Sequence, residues 1–278
     1  MSQVTPTAQE IVRSSGSNLA FAFACLPRQK GADMTIFYAF CRIVDDIADD
    51  PEPSVETRRQ QLAEWTALIQ QERLPDSTVE IEVCDLLDRY PIKRELMLEI
   101  IRGVEMDLTI RRYATYAELE TYCYRVASAV GLVSIEIFGY QSEATPQYAI
   151  ELGHALQITN ILRDVGEDLT NDQRIYLPQE DMDRFGVTEE SLIQGEHSPQ
   201  FLELMQFEAD RAEARYAEAV RLLPKEDRGN LRASELMRTV YYAILKKMRS
   251  DGFRVLGKRY RLTSLEKLLL LSRTLITG

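Results

Sequence analysis

Almost every long segment of this chain carries its apolar residues at spacings of three and four, and no run alternates strictly over the length of a strand. Residues 29–49, 54–72, 91–108, 117–140, 145–169, 198–223, 231–256 and 263–276 all read as helices on this criterion. Prolines at 51, 53, 75, 91, 146, 178 and 224 fall between or at the starts of the periodic segments, where helices begin or stop. The stretch AELETYCYRVASAVGLVSIEIFGY is apolar almost all round, which marks a helix buried on every side. No Gly/Ser-rich linker or short repeat divides the chain. The pattern predicts one all-α domain over residues 1–278, a helical bundle with room for a pocket between helices.

Two polar stripes interrupt these apolar helices. In YAFCRIVDDIADD four aspartates fall within six positions, and Tyr38, Arg42, Asp45 and Asp49 share one helix face. Asp46 and Asp50 lie one position round, with Asp50 expected in solvent. In QITNILRDVGEDL, Gln157, Asn160, Asp164 and Asp168 form a second stripe, flanked by Arg163 and Glu167. Carboxylates four apart on a helix repel by a few tenths of a kcal/mol. Their neighbours Ile43, Val44, Ile47, Ile158, Ile161 and Leu162 are core residues. An unpaired carboxylate cluster is costly in such surroundings unless cations bind it.

An all-oxygen ligand set suits Mg²⁺, and Mn²⁺ equally. The calcium-loop spacing fails, because the loop glycine and the closing acid are missing. Zinc has only His154 and His197 to draw on, and neither has a partner at ligand spacing. His154 reads as a satisfied core histidine. Mg²⁺ commonly uses one or two carboxylates plus substrate phosphates, so two facing stripes would clamp a diphosphate. Arg42, Arg163 and Arg174 would add charge-assisted hydrogen bonds to it. The basic run Arg254, Lys258, Arg259 and Arg261 either closes over that site, faces anionic lipid or is simply solvated.

The net charge of −11 argues against nucleic acid as a partner. Four scattered cysteines without CxxC spacing point to reduced thiols in a cytoplasm. No apolar run has the length of a membrane span, leaving peripheral membrane contact as the expectation. No nucleotide-binding glycine motif or nucleophile elbow competes with the acidic stripes.

The combination of YAFCRIVDDIADD, YCYRVASAVGL and NILRDVGEDLTNDQRIYLP, spread over residues 14–260, resembles the squalene/phytoene synthase family. That resemblance implies the isoprenoid synthase fold and a prenyltransferase that joins two allylic isoprenyl diphosphates head to head. It implies metal binding by Asp45, Asp46, Asp49, Asn160, Asp164 and Asp168. It puts diphosphate contacts on Tyr38, Arg42, Gln157, Asn160, Arg163, Arg174, Tyr176 and Tyr241, and catalysis on Tyr122 with Arg42, Asp45, Asp49, Asp164 and Asp168. Tyr122, with released diphosphate, is the implied base. TNDQRIYLP corresponds to a flap over the cavity. The serine-rich N-terminal segment departs from the family form, since Leu19 stands where phenylalanine is common, beside Ser15, Ser17 and Asn18.

The expected reaction joins two farnesyl diphosphates to presqualene diphosphate and a squalene-type C30 product, with NADPH needed only for a reductive second half. Two geranylgeranyl diphosphates giving phytoene are the alternative. A non-catalytic relative would have lost motif residues, and a terpene cyclase would lack RIYLP; both features are intact here. Monomer and homodimer are equally compatible with the sequence.

Overall fold

The computed structural model describes residues 7–15, 22–23 and 25–277, so Ser17, Asn18 and Leu19 and the Ser15 side chain lie outside the described residues. Among the described residues the fold is helical throughout. The helices are α1 (Ala8–Ser15), α2 (Arg28–Asp49), α3 (Val55–Ile69), α4 (Thr78–Arg89), α5 (Arg94–Thr109) and α6 (Tyr116–Cys123). A π-turn (Tyr124–Ser128) leads into α7 (Ala129–Phe138). Then come α8 (Thr145–Asp172), α9 (Gln179–Phe185), α10 (Glu189–Ile193), α11 (Pro199–Leu222), α12 (Arg232–Ser250) and α13 (Ser264–Thr277).

Local chemistry sets most boundaries. Ser54, Ser77, Thr115 and Ser198 each accept a hydrogen bond from the backbone N–H three residues on, capping α3, α4, α6 and α11. The buried Asp227 carboxylate accepts from the N–H groups of Gln141 and Ser142 and from the Thr145 hydroxyl, which fixes the entry to α8. Arg58 of α3 donates to the Ala48 carbonyl at 2.7 Å, satisfying an open carbonyl at the end of α2. α8 ends at Gln173, a left-handed residue with φ 53°, and the chain then turns sharply back.

The 28-residue α8 is the central helix, packed by α11, α7, the π-turn and α12. One connected apolar cluster runs from α1 to the segment after α12. α2, α5, α6 with α7, and α8 surround a cavity inside it. The stretch 117–140, expected as one helix, is one continuous helical run from Tyr116 to Phe138 with a π-turn inside it. The reason lies in its neighbours. Gly103 and Gly153 let α5 and α8 approach so closely that a Cβ at Gly153 would fall 2.6 Å from the Ser128 Cα, and one at Gly103 2.7 Å from Val126. Tyr122, Val126, Val130 and Ser134 emerge at steps of four, all lining the cavity.

Three expectations need correction. α5 starts at Arg94 rather than Pro91, after a loop. α12 stops at Ser250, and Gly252 and Phe253 with positive φ bend the chain before residue 256. α4 was not expected at all, because Val79, Ile81 and Val83 alternate before Leu86 and Leu87 pair up, mixing the two periods.

Candidate active site

The cavity has two chambers. The upper one, about 290 Å³, has a charged side and an apolar side. Tyr38, Arg42 and Asp45 enter from α2, Asp107 from α5, Tyr122 from α6, and Gln157 and Asn160 from α8. Phe23, Met34, Val130 and Ser134 line this chamber and also the lower one, so the two adjoin across a shared wall. The lower chamber, about 100 Å³, is almost wholly apolar and ends among Phe138, Tyr148 and Met237. Ala127 and Gly131 border it, whereas Ala129 is fully buried in helix packing instead.

Each acidic stripe is held by arginines. Arg42 pairs with Asp45 at 3.2 Å and with Asp46 at 2.5 Å. Asp49, a turn further on, accepts from Arg174 at 3.2 Å. On α8, Arg163 grips Asp164 with two bonds of 2.8 and 2.5 Å. Arg259 crosses from the segment after α12 to meet Asp164 at 3.1 Å and Glu167 at 2.7 Å. The basic run is therefore split: Arg259 belongs to the acidic rim and Lys258 pairs with Asp251 at 2.6 Å, while Arg254 and Arg261 are exposed beside them. Asp168, a turn beyond Asp164, is half-buried, and its carbonyl accepts from the Arg174 N–H. Asp50 is exposed, as its place beside the stripe implies, and caps the turn at Glu52.

RIYLP runs along residues 111–114. Ile175 bridges Arg112 in parallel fashion, and Gln179 and Glu180 donate to the carbonyls of Tyr113 and Ala114. This pairing turns Arg174 and Tyr176 inward onto Asp107. Asp107 accepts from the hydroxyls of Tyr122 at 2.9 Å and Tyr176 at 2.8 Å. Its carbonyl accepts from Arg174 at 3.1 Å. Tyr113, Tyr122 and Tyr176 stack around it with ring centroids 5.2–5.9 Å apart.

Asp107 was missed by the motif reading. Its signal was a lone carboxylate on an apolar stripe: it follows Ile100 and Val104 at steps of four and three, and all three line the chamber. Tyr241 was assigned to the diphosphate site. It does not line the upper chamber, and neither does Arg163, the cation it lies beside. His154 is buried, with Nδ1 between the Ser128 hydroxyl and the Ile150 carbonyl, a core role.

The electrostatics record crowded negative charge. Burial in the cleft pushes Asp45 up to about 7, the Asp49 carboxylate pushes the same way, and Arg42 opposes both. Its side chain still keeps 47% of its surface because it faces the open chamber while protein surrounds its other sides. Burial likewise raises Asp107, to about 6, against the pull of Arg174 and the two tyrosine hydroxyls. Tyr122 is pushed well above its ordinary range, first by burial and then by Asp107. It therefore keeps its proton and donates it to Asp107, so a free phenolate base at Tyr122 is disfavoured.

The residues present suit a bridging cation rather than an enclosed one. The Asn160 Oδ1 is buried at the chamber wall with no hydrogen-bond partner, an open oxygen donor beside the aspartates. Among the described residues no three His, Cys, Asp or Glu side chains converge on one point.

Comparison with known proteins agrees with this geometry. The squalene/phytoene synthase family model matches residues 12–266. A phytoene synthase of Mycobacterium tuberculosis is 34% identical over 265 residues, covering 93% of this chain and 86% of its own. A presqualene diphosphate synthase of Zymomonas mobilis is 34% identical over 273 residues, covering 95% and 91%. Among solved structures, a dehydrosqualene synthase superposes with TM-score 0.85 at 28% identity, covering 97% of this chain and 94% of that one. The squalene synthase of Alicyclobacillus acidocaldarius superposes with TM-score 0.77 at 25% identity, covering 88% and 93%. With its two facing polar stripes on a helical isoprenoid synthase fold, the chain belongs to the squalene/phytoene synthase family and is a prenyltransferase of that head-to-head type.

Proposed function

We propose that the protein joins two molecules of farnesyl diphosphate head to head, 1′–1, giving presqualene diphosphate and then a squalene-type C30 product. The observation that carries this reading is a charged chamber that shares four lining residues with an apolar one. The helix path from Tyr122 to Phe138 spans about 24 Å at 1.5 Å per residue, and bulky Phe138, Tyr148 and Met237 stand at its far end. Side chains of this bulk set a limit on the chain that the lower chamber takes up.

Asp45, Asp46 and Asp49 from one side and Asn160, Asp164 and Asp168 from the other would hold Mg²⁺ (Mn²⁺ suits the same oxygens), which when bound supplies the Lewis acidity that favours diphosphate departure. Arg42, Arg163 and Arg174, now on aspartates, exchange those partners for phosphate oxygens. Tyr38, Gln157 and Tyr176 orient the same group, and Tyr241 steadies Arg163. Breaking the C1–O bond of the donor leaves an allylic cation, which the apolar lining shields from water. The C2–C3 π bond of the second substrate then bonds to that C1, and loss of a proton from C1 closes a cyclopropane. Tyr122 takes that proton on its oxygen while passing its own to Asp107, whose raised proton affinity suits the task. The released diphosphate is the alternative acceptor in the same chamber. A second ionisation opens the ring, and a nicotinamide, where bound, would supply the hydride that completes squalene.

Relatives named phytoene synthase at the same identity support a second reading, two geranylgeranyl diphosphates giving phytoene. The purified protein is incubated with Mg²⁺ and either diphosphate, with and without NADPH, and the products are identified by mass spectrometry. Presqualene diphosphate from farnesyl diphosphate without NADPH is expected. Phytoene from the longer substrate with nothing from the shorter replaces the first reading by the second. No product from either sinks both.

A further inference from the structure

Arg112 takes no part in the chemistry above, yet its guanidinium meets three separate pieces of chain. Its Nε donates to Glu189 of α10 at 3.0 Å, and Nη2 donates to the other oxygen of the same carboxylate. Its Nη1 donates to the carbonyls of Arg111 at 2.8 Å and Gln173 at 2.6 Å. A planar guanidinium, with N–H groups in a fixed fork, is the side chain suited to making all of these bonds at once. The fork holds the Glu189 carboxyl below its ordinary range, so both partners stay charged through neutral pH.

The bond to Gln173 falls at the joint between α8 and RIYLP. Gln173 has a left-handed φ of 53°, which residues with a side chain rarely adopt, so its backbone needs holding. The next residue, Arg174, reaches Asp49 and the Asp107 carbonyl, and Tyr176 follows with its hydroxyl on Asp107. A shift of the Gln173 carbonyl therefore passes directly to both. The outer side of this joint is not packed. A cavity of about 370 Å³, bordered by Arg112, Leu169, Gln173, Glu189 and Leu256, lies against it and shares no lining residue with the two chambers. Polar bonds, rather than buried apolar surface, hold the start of the segment from outside.

We infer that Arg112 is a positioning residue for the reaction: anchored on Glu189, it latches the Gln173 carbonyl, so that Arg174 and Tyr176 stay on Asp49 and Asp107 and water stays out of the chamber. Arg112 lines neither chamber and acts only through the segment it holds. Without the latch, RIYLP lifts from its first residue and the charged chamber opens. An allylic cation formed in an opened chamber is captured by water. The water oxygen bonds to C1 and loses a proton, and the free prenyl alcohol leaves in place of the head-to-head product. This product effect rests on the proposed function, whereas the lifting of the segment does not.

Arg112→Ala tests this with two independent readouts. The first needs no substrate. Trypsin cuts after Arg174 only when the segment lifts, since Arg174 and Ile175 are both buried in the closed form. The variant should be cut there about tenfold faster than wild type, as identified by mass spectrometry of the fragments. Its melting temperature should stay close to wild type, because the Arg112 and Glu189 side chains keep 33% and 44% of their surface. The second readout is the product ratio with Mg²⁺ and whichever isoprenyl diphosphate the wild type turns over. Head-to-head turnover should fall about 10²-fold, and the ratio of free alcohol to head-to-head product should rise about tenfold. Added guanidinium ion, which the adjoining cavity admits, should bring the ratio back toward wild type, whereas urea should not. Glu189→Gln keeps the carbonyl bonds and should fall between the two proteins in both readouts. The inference is overturned if Arg112→Ala keeps the wild-type cutting pattern and product ratio, or if guanidinium restores nothing. It is equally overturned if the variant melts far lower, is cut throughout and loses all products in proportion, the signature of a merely structural role. A wild type that makes no head-to-head product would sink the proposed function and leave the cut at Arg174 to decide the latch.

Discussion

Asp107→Asn separates the chemical from the structural role of the residue at the centre of the tyrosine cluster. Asp107 is 6% exposed and holds the hydroxyls of Tyr122 and Tyr176 at 2.9 and 2.8 Å. Burial raises its pKa from 3.8 to about 6. The folded chain therefore holds this proton more tightly than the unfolded chain. Its contribution to stability is fully present below about pH 4 and is lost as pH rises through about 6. At 1.36 kcal/mol per tenfold in proton affinity, that gap is worth about 3 kcal/mol. Asparagine has no proton to gain. In EDTA, the wild type should thus gain about 3 kcal/mol on the variant as pH falls from about 7 to about 4. Asp45 titrates in both proteins and largely cancels in the difference. At neutral pH the variant should be as stable as the wild type or more so, because the amide relieves a buried charge and its oxygen still accepts from one tyrosine. Turnover should nevertheless drop about 10²–10⁴-fold, the scale of a lost proton-transfer partner. Urea unfolding followed by far-UV ellipticity across this pH range, together with initial rates, reads both quantities. A variant that is destabilised by the same amount at every pH and keeps its turnover would refute the reasoning and leave Asp107 a structural anchor.

Asp45→Asn and Asp164→Asn should each reduce turnover by about 10²–10³-fold; the half-exposed Asp45 can be neutralised with the melting temperature close to wild type, whereas Asp164→Asn, which leaves the buried Arg163 without its carboxylate, should also cost about 3 kcal/mol of stability; near-wild-type rates in both would remove the acidic stripes from the mechanism. Gly153→Ala drives a Cβ to 2.6 Å from the Ser128 Cα, a backbone contact that cannot give way, so a loss of about 1–3 kcal/mol is expected in thermal or denaturant unfolding. Ser134→Phe fills the junction of the two chambers. Steady-state kinetics should show farnesyl diphosphate losing more kcat/KM than geranyl diphosphate; equal losses would mean the junction does not admit the chain.

The helices and both polar stripes were legible because 3.6-residue periodicity is a local property, and each stripe lies within one helix. Tyr38, Arg42, Asp45, Gln157, Asn160 and Tyr122 line the chamber, whereas Asp46, Asp49, Arg163, Asp164, Asp168, Arg174, Tyr176 and Tyr241, expected at the same site, do not. What sequence could not express was how distant segments meet. Asp107 sits in EMDL with no acidic neighbour on its face, and becomes visible only when Tyr122 and the RIYLP segment close on it from 15 and 69 residues away. The π-turn in the 117–140 helix depends on glycines in two other helices, so the apolar pattern of the segment itself gave no sign of it. Arg259 had three readings from its own surroundings, and a contact 95 residues distant decided among them.

The central claim is that the charged chamber loads two farnesyl diphosphates and the adjoining apolar chamber sets their length. Its most direct test is a competition. Equal amounts of farnesyl and geranylgeranyl diphosphate are offered together with Mg²⁺ and NADPH, and the hydrocarbon products are separated by mass. A C30 product in clear excess over C35 and C40 is the predicted result. A predominance of C40, or the absence of any head-to-head product, contradicts the account.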